Sequence, residues 1–274
     1  MMVPLAGVIG CPVGHSRSPV LHGHWLQVHG LRGHYVPLHV APEDLGMVLR
    51  ALPAAGFVGV NVTLPHKQAA LALAHEATPT ARRIGAANTL SFRDGRILAD
   101  NTDGYGFLQN LREGVPDWQS GAGPALVLGA GGAARAVLVA LAEAGVPEIW
   151  LTNRTRARAE ALVADLGLAV RVLDWTDYAD ALPQAALVVN TSSLGMEGQP
   201  PLDLPAEMLH PDAVVTDIVY TPLETALLRA ARARGCRVVD GLGMLLYQAA
   251  PGFERWFGQR PVVDAGLRRA VLGA

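Results

Sequence analysis

The sequence predicts an α/β protein of two domains: an N-terminal α/β domain and a C-terminal domain built on a doubly wound parallel sheet. Three observations carry this. The chain has 274 residues, against roughly 150 for a single domain. Half of its residues are hydrophobic and 17% are charged, which supplies material for sizeable cores and excludes disorder as the main state. Strand-like and helix-like stretches alternate through both halves, the rhythm of strands joined by covering helices.

Taken in order, Gly7–Gly10 reads as a short buried strand, and Pro19 opens a helix through Leu21, Trp25, Leu26 and Val28. Tyr35–Leu38 is a second strand, followed by a helix from Pro42 carrying Leu45, Val48, Leu49 and Leu52. Phe57–Val62 is a third strand, leading through Thr63–Lys67 into an Ala/Leu-rich helix. Asp94-Gly95 between two apolar runs marks a hairpin. The glycines and prolines of residues 114–124 read as a loop before a new unit. Beyond it, Ala125–Leu128, Ile149–Thr152, Leu187–Asn190, Val214–Ile218 and Arg237–Asp240 are strands of a parallel sheet. Helical patterns at 244–257 and 263–272 close the chain. The expected domains are 1–103, 104–240, and a C-terminal pair of helices, 241–274, packing back toward the first.

A formal net charge of −2 argues against a nucleic-acid or anionic-membrane partner. No apolar run is long enough to span a bilayer, and the N-terminus lacks the features of a signal peptide. Cys11 and Cys236 cannot make a disulfide framework or a four-thiolate zinc site. A cytoplasmic protein is expected.

Ala125–Leu128 runs directly into Gly129-Ala130-Gly131-Gly132-Ala133-Ala134, a G-x-G-x-x-A turn between a strand and a helix. The glycines allow the tight turn and close approach of backbone to a pyrophosphate, and the helix start supplies oriented N–H donors. This is the signature of a Rossmann-type dinucleotide site. The next strand ends Thr152-Asn153-Arg154-Thr155-Arg156-Ala157-Arg158, with three arginines where an NAD site would carry an acid. Arginine forks suit a 2′-phosphate, and basic residues at a helix start oppose its dipole unless something anionic answers them. NADP(H) is therefore expected rather than NAD.

The first half is punctuated by polar clusters: His15-Ser16-Arg17-Ser18-Pro19, Asn61 and Thr63 at a strand end, Asn88, and Asn101-Thr102-Asp103. Ser18 is the natural helix N-cap, which leaves Ser16 unexplained. Of 22 basic residues, Lys67 is the only lysine. An Arg-rich genome explains this blandly; a position that needs a tunable proton donor explains it better. Eight of the nine histidines precede residue 76, but no carboxylate or cysteine completes a ligand set around His22-Gly23-His24, so no metal is expected.

These residues resemble the shikimate dehydrogenase family. The resemblance rests on Gly10-x-Pro12-x-x-His15-Ser16-x-Ser18-Pro19, Asn61-Val62-Thr63-x-Pro65-x-Lys67, Gly85-Ala86-x-Asn88-Thr89 and Asn101-Thr102-Asp103-Gly104. It extends through Gly129–Ala133, Asn153-Arg154-Thr155 and Asp240-Gly241-x-Gly243-Met244-Leu245-x-x-Gln248, from residue 7 to about 257. It implies NADPH-dependent reduction of 3-dehydroshikimate to shikimate, in aromatic amino-acid (chorismate) biosynthesis. By the same resemblance, Lys67 and Asp103 form the catalytic pair. Ser16, Ser18, Thr63, Lys67, Asn88, Asp103, Tyr220 and Gln248 meet the substrate. The resemblance assigns the cofactor to Gly129, Ala130, Gly131, Gly132, Ala133, Asn153, Arg154, Thr155, Arg158, Ile218 and Gly241. Some relatives carry an acidic residue of the cofactor site where Pro79 stands here. The expected assembly is a monomer or homodimer. Two alternatives stay open: a quinate/shikimate dehydrogenase using NAD or accepting quinate, and a nucleotide-sensing regulator on the same fold.

Overall fold

Two six-stranded sheets organise the chain in a computed structural model that describes residues 3–273. In the first part, β1 (Leu5–Gly10) leads to α1 (Ser18–Val28), β2 (His34–His39), α2 (Leu45–Ala51), β3 (Phe57–Val62) and α3 (Lys67–Ala72). Then come β4 (Glu76–Ala77), α4 (Pro79–Ile84), β5 (Thr89–Arg93) and β6 (Arg96–Asp100). The second part runs α5 (Asp103–Gly114), β7 (Ala125–Leu128), α6 (Gly132–Glu143), β8 (Ile149–Thr152), α7 (Arg156–Leu166) and β9 (Val170–Leu173). It continues with α8 (Tyr178–Ala181), β10 (Leu187–Asn190), β11 (Val214–Asp217), α9 (Ala226–Ala233) and β12 (Arg237–Val239). Two helices finish the chain, α10 (Leu242–Phe257) and α11 (Ala265–Leu272).

One compact unit contains the residues up to Thr102 and those from Leu246 onward; the other is Asp103–Leu245. The first turn of α10 packs within the second unit: a side chain at Gly243 would overlap Asn110 of α5.

The first sheet has the order β2-β1-β3-β5-β6-β4. β1 pairs in parallel with β2 and β3, whereas β5 is antiparallel to both β3 and β6. Asp94 (φ 50°) and Gly95 (φ 71°) make the tight β5–β6 turn that the Asp-Gly pair predicts. Ile9, Leu49, Val60, Val62, Leu90 and Ile97 form the core on one side. Ala6, Val8, Tyr35 and Trp256 pack together separately. Trp256 brings α10 onto the sheet: its Nε1 donates to Leu90 O at 3.1 Å and lies where a side chain at Gly59 would have to be.

The second sheet is wholly parallel, in the order β12-β11-β10-β7-β8-β9. Numbered within this unit and read from the β9 edge it is 3-2-1-4-5-6, the doubly wound dinucleotide topology, with its switch point between β7 and β10. β7, β8, β10 and β11 are buried along their whole length, as central parallel strands are. β4, with two residues, and β9, an edge strand only partly buried, carry too little hydrophobic pattern to be seen from sequence.

Candidate functional site

In the first unit the carboxyl ends of β2, β1 and β3 lie side by side. Val40 N donates to Gly10 O at 3.2 Å, and Thr63 N donates to Ile9 O at 2.8 Å. A side chain at Gly10 would come within 2.6 Å of Thr63 Cγ2, so only glycine lets these segments close. Runs 11–18 and 63–67 therefore meet where open α/β sheets bind ligands. Ser18 does not take the N-cap position expected of it, which is filled by Arg17 without a side-chain hydrogen bond. Ser18 is the first residue of α1, buried, and provides no cap; Ser16 Oγ accepts from the Ser18 N–H at 3.3 Å. Pro19 cannot donate, so the free N–H nearest the helix start is that of Ser18, and Ser16 reaches it from two residues back.

His66 is buried, with Nε2 at 2.8 Å from Val40 O, which ties the start of α3 to the end of β2. Lys67 is the first residue of α3 and remains half-exposed. Its carbonyl accepts from Ala87 N at 2.8 Å, which sets Asn88 beside it. Asn88 is buried: Nδ2 donates to Gln248 Oε1 (3.1 Å) and Thr102 Oγ1 (3.0 Å), and Oδ1 accepts from Thr102 N (2.9 Å). Thr102 Oγ1 donates to Gln248 O at 2.8 Å, so the middle of α10 is held by this strand end. Ser16, Ser18, Thr63, Lys67, Asn88 and Gln248 are thus gathered at one end of the first sheet. Pro79 opens α4 behind a Thr78 N-cap (Ala81 N to Thr78 Oγ1, 3.1 Å), and Thr78 donates to Asp100 Oδ1. Burial pushes the Asp100 carboxyl up, but hydrogen bonds from Thr78 and from Arg255 outweigh it and leave the pKa lowered.

In the second unit Gly129 adopts φ +105°, and a side chain there would meet Ser192 N at 2.9 Å. Gly131 is the N-cap of α6 with no side chain to cap it, and space opens beside it. The uncapped N–H groups of this turn fit a pyrophosphate. Asn153 braces the loop, with Oδ1 accepting from Ala130 N (3.1 Å) and Nδ2 donating to Thr155 O (2.8 Å). The three arginines that follow divide. Arg156 is paired with Glu160 (2.7 Å) and Asp174 (2.9 Å), so the protein itself supplies its anions. The guanidinium groups of Arg154 and Arg158 are exposed and, among the described residues, enter no hydrogen bond or ion pair. They are the donors that suit a ribose 2′-phosphate. Ile218 and Gly241 are brought together: a side chain at Gly241 would lie 2.4 Å from the Ile218 carbonyl. Tyr220 follows two residues after Ile218 and is half-buried. Asp103 opens α5, buried, and Gly104 lets that helix close on Ala136 of α6.

Sequence reasoning missed the supports of this loop. Thr191 Oγ1 reaches the carbonyls of Leu128 and Gly129, both at 3.0 Å. Asn190 Nδ2 and Thr225 Oγ1 donate to the Asp217 carboxylate at 2.9 and 2.8 Å. Burial nevertheless pushes the Asp217 pKa up to about 6. The polar run Asn190–Ser193 at the end of an apolar strand was the available signal. Among the described residues no three metal-ligating side chains cluster, and no helix is long and apolar enough to cross a membrane.

Comparison with known proteins gives the chain's family. Residues 8–90 match the shikimate dehydrogenase substrate binding domain, 119–196 the shikimate/quinate 5-dehydrogenase model, and 241–270 the shikimate 5′-dehydrogenase C-terminal domain. A Paracoccus denitrificans protein named shikimate dehydrogenase (NADP(+)) is 64% identical over 98% of this chain and 96% of its own. The Thermus thermophilus shikimate 5-dehydrogenase, solved with NADP(H) and shikimate, has a TM-score of 0.88 at 42% identity, covering 99% of both chains. The Corynebacterium glutamicum quinate dehydrogenase, solved with NAD, has a TM-score of 0.91 at 33% identity, over 98% of this chain and 99% of that one.

Proposed function

The chain belongs to the shikimate/quinate dehydrogenase family and is an NADP-dependent oxidoreductase; from that premise we propose that it reduces 3-dehydroshikimate reversibly to shikimate, in the cytoplasm, for aromatic amino-acid biosynthesis. The observation that carries this reading is the group of hydroxyls and amides beside the only lysine: Ser16, Ser18, Thr63, Asn88 and Gln248 around Lys67 at one end of the first sheet. Such a set suits a polyhydroxylated acid, with the serines and Thr63 on its carboxylate and hydroxyls.

The Gly129–Ala133 backbone, Asn153, Arg154, Thr155, Arg158, Ile218 and Gly241 would hold NADP(H), which when bound supplies or accepts the hydride. As the substrate ketone is reduced, negative charge develops on its oxygen. Lys67 donates a proton there and takes it back in the oxidative direction. Asp103 pairs with that ammonium and bonds the same hydroxyl, and Tyr220 approaches the substrate. General acid–base assistance of this kind is worth roughly 10²–10⁴-fold in rate.

The test is absorbance at 340 nm with shikimate or quinate, each paired with NADP or NAD. Reduction of NADP with shikimate alone is the expected result. Turnover of quinate, or with NAD, would move the assignment to the broader dehydrogenase. Silence in all four mixtures, from folded protein that binds NADPH, would favour a regulator.

A further inference from the structure

The first unit contains a buried aromatic and amide chain that none of the substrate-facing residues accounts for. His22 lies on α1 one turn beyond Ser18 and is fully buried. Its ring stacks on Tyr35 of β2, with centroids 3.9 Å apart and planes 3° from parallel, and meets Trp25 edge-on. Neither imidazole nitrogen has a hydrogen-bond partner. His22 is therefore a flat, neutral platform for Tyr35 and not a relay of protons.

The Tyr35 hydroxyl donates to Asn61 Oδ1 at 2.7 Å. The direction is fixed by the next link. Asn61 Nδ2 donates to the Asn88 carbonyl (3.1 Å) and to Thr89 Oγ1 (3.2 Å), so both of its protons are used and only its oxygen can face Tyr35. Thr89 Oγ1 passes its proton to Asn88 Oδ1 at 2.9 Å. Asn88 in turn holds Gln248. The phenol thus anchors the amide end of the cluster, and Asn61, whose amide is fully occupied, serves as the strut between them.

We propose that Tyr35, supported by His22, is a positioning residue for substrate: through Asn61 and Thr89 it sets the Asn88 amide. The inference rests on the reading of Asn88 and Gln248 as shikimate-binding groups. It makes Tyr35→Phe informative, because phenylalanine keeps the stack on His22 and removes only the hydroxyl.

The experiment measures steady-state kinetics, shikimate binding by calorimetry, and Tm for the wild type, Tyr35→Phe, Asn61→Ala and the double variant. Tyr35→Phe is expected to raise KM and Kd for shikimate about five- to tenfold, the worth of one to two hydrogen bonds. Its kcat should stay within about twofold and KM for NADP should not change. Asn61→Ala should show the same split, and the double variant should be no weaker than Asn61→Ala alone, because both break one chain. Should Tyr35→Phe fail to fold, the Asn61→Ala split decides the matter. Unchanged shikimate KM and Kd in the variants of an active wild type would overturn the proposal, as would equal losses for shikimate and NADP. A wild type that neither binds nor turns over shikimate would overturn the function assigned above, and this proposal through its premise.

Discussion

At the scale of single residues, the proposed reaction asks different things of its cations. In it Lys67 gives up a proton and recovers it, which arginine cannot do at neutral pH. Lys67→Ala should lower kcat by roughly 10²–10⁴-fold while KM for shikimate changes modestly; a kcat near that of the wild type in a stopped-flow or steady-state assay would remove it from the acid–base role. Arg154 is asked only for charge and geometry. With Arg156 already bound to Glu160 and Asp174, Arg154 and Arg158 are the guanidinium groups of that run left to answer a phosphate. Arg154→Ala should raise KM and Kd for NADP by about 10- to 100-fold, the loss of one charge-assisted pair, and leave the Kd for NAD, read by calorimetry, nearly unaltered. Parallel loss with both cofactors would mean that Arg154 supports the loop and does not read the phosphate.

At the scale of elements, glycines mark where backbones must nearly touch, and they are testable one at a time. Gly241 precedes α10 and sits against the carbonyl of Ile218 at the end of β11. A methyl group there meets backbone, which cannot swing aside as a side chain would. Gly241→Ala should cost about 1–3 kcal/mol of stability and weaken NADP binding, read by thermal unfolding with and without cofactor; an unchanged Tm and Kd would show that this end of β11 yields freely. Much of this was legible in the sequence. Central strands β7, β8 and β10 are short, wholly buried apolar runs and announce themselves, and Asp94-Gly95 forces its hairpin. The glycine loop and the run of three arginines after β8 were equally plain, but not that Arg156 is the one paired within the protein. What was hidden were long-range partners. Nothing in the spacing of Thr191, Asp217 or Thr225 says that they brace the Gly129 loop and the end of β11, and nothing near Tyr35 says that its hydroxyl ends on Asn61. That Ser18 falls inside α1 and does not cap it was hidden for a local reason, since it depends on where the chain turns into the helix.

At the scale of the whole molecule, the two units contain buried titratable groups of opposite sign, and acid should act on them in opposite directions. His22, enclosed by Trp25, Tyr35, Phe253 and Trp256, has its pKa lowered from 6.5 to about 3 by burial. An unfolded chain would take up that proton near pH 6.5 while the folded one refuses it. Its contribution to stability is full above pH 6.5 and declines between pH 6.5 and 3, by about 1.4 kcal/mol per pH unit. Asp217 runs the other way. Burial raises its pKa from 3.8 to about 6 despite donors from Val219, Thr225 and Asn190, so the folded state binds the proton first. Its contribution is greatest below pH 3.8 and is lost as pH rises through 6. Between pH 6 and 4 the first unit should therefore weaken while the second strengthens. His22→Phe, which keeps an aromatic ring on Tyr35 and removes two unpartnered nitrogens, should be at least as stable as the wild type at pH 7.5. At pH 5 it should be more stable by about a further 2 kcal/mol. Asp217→Asn should lose the gain on acidification of the second unit, about 1 kcal/mol at pH 5. Calorimetric scans of the three proteins at pH 7.5 and 5 give the result directly: if the Tm difference between His22→Phe and the wild type does not widen in acid, His22 is not the neutral platform that its surroundings require.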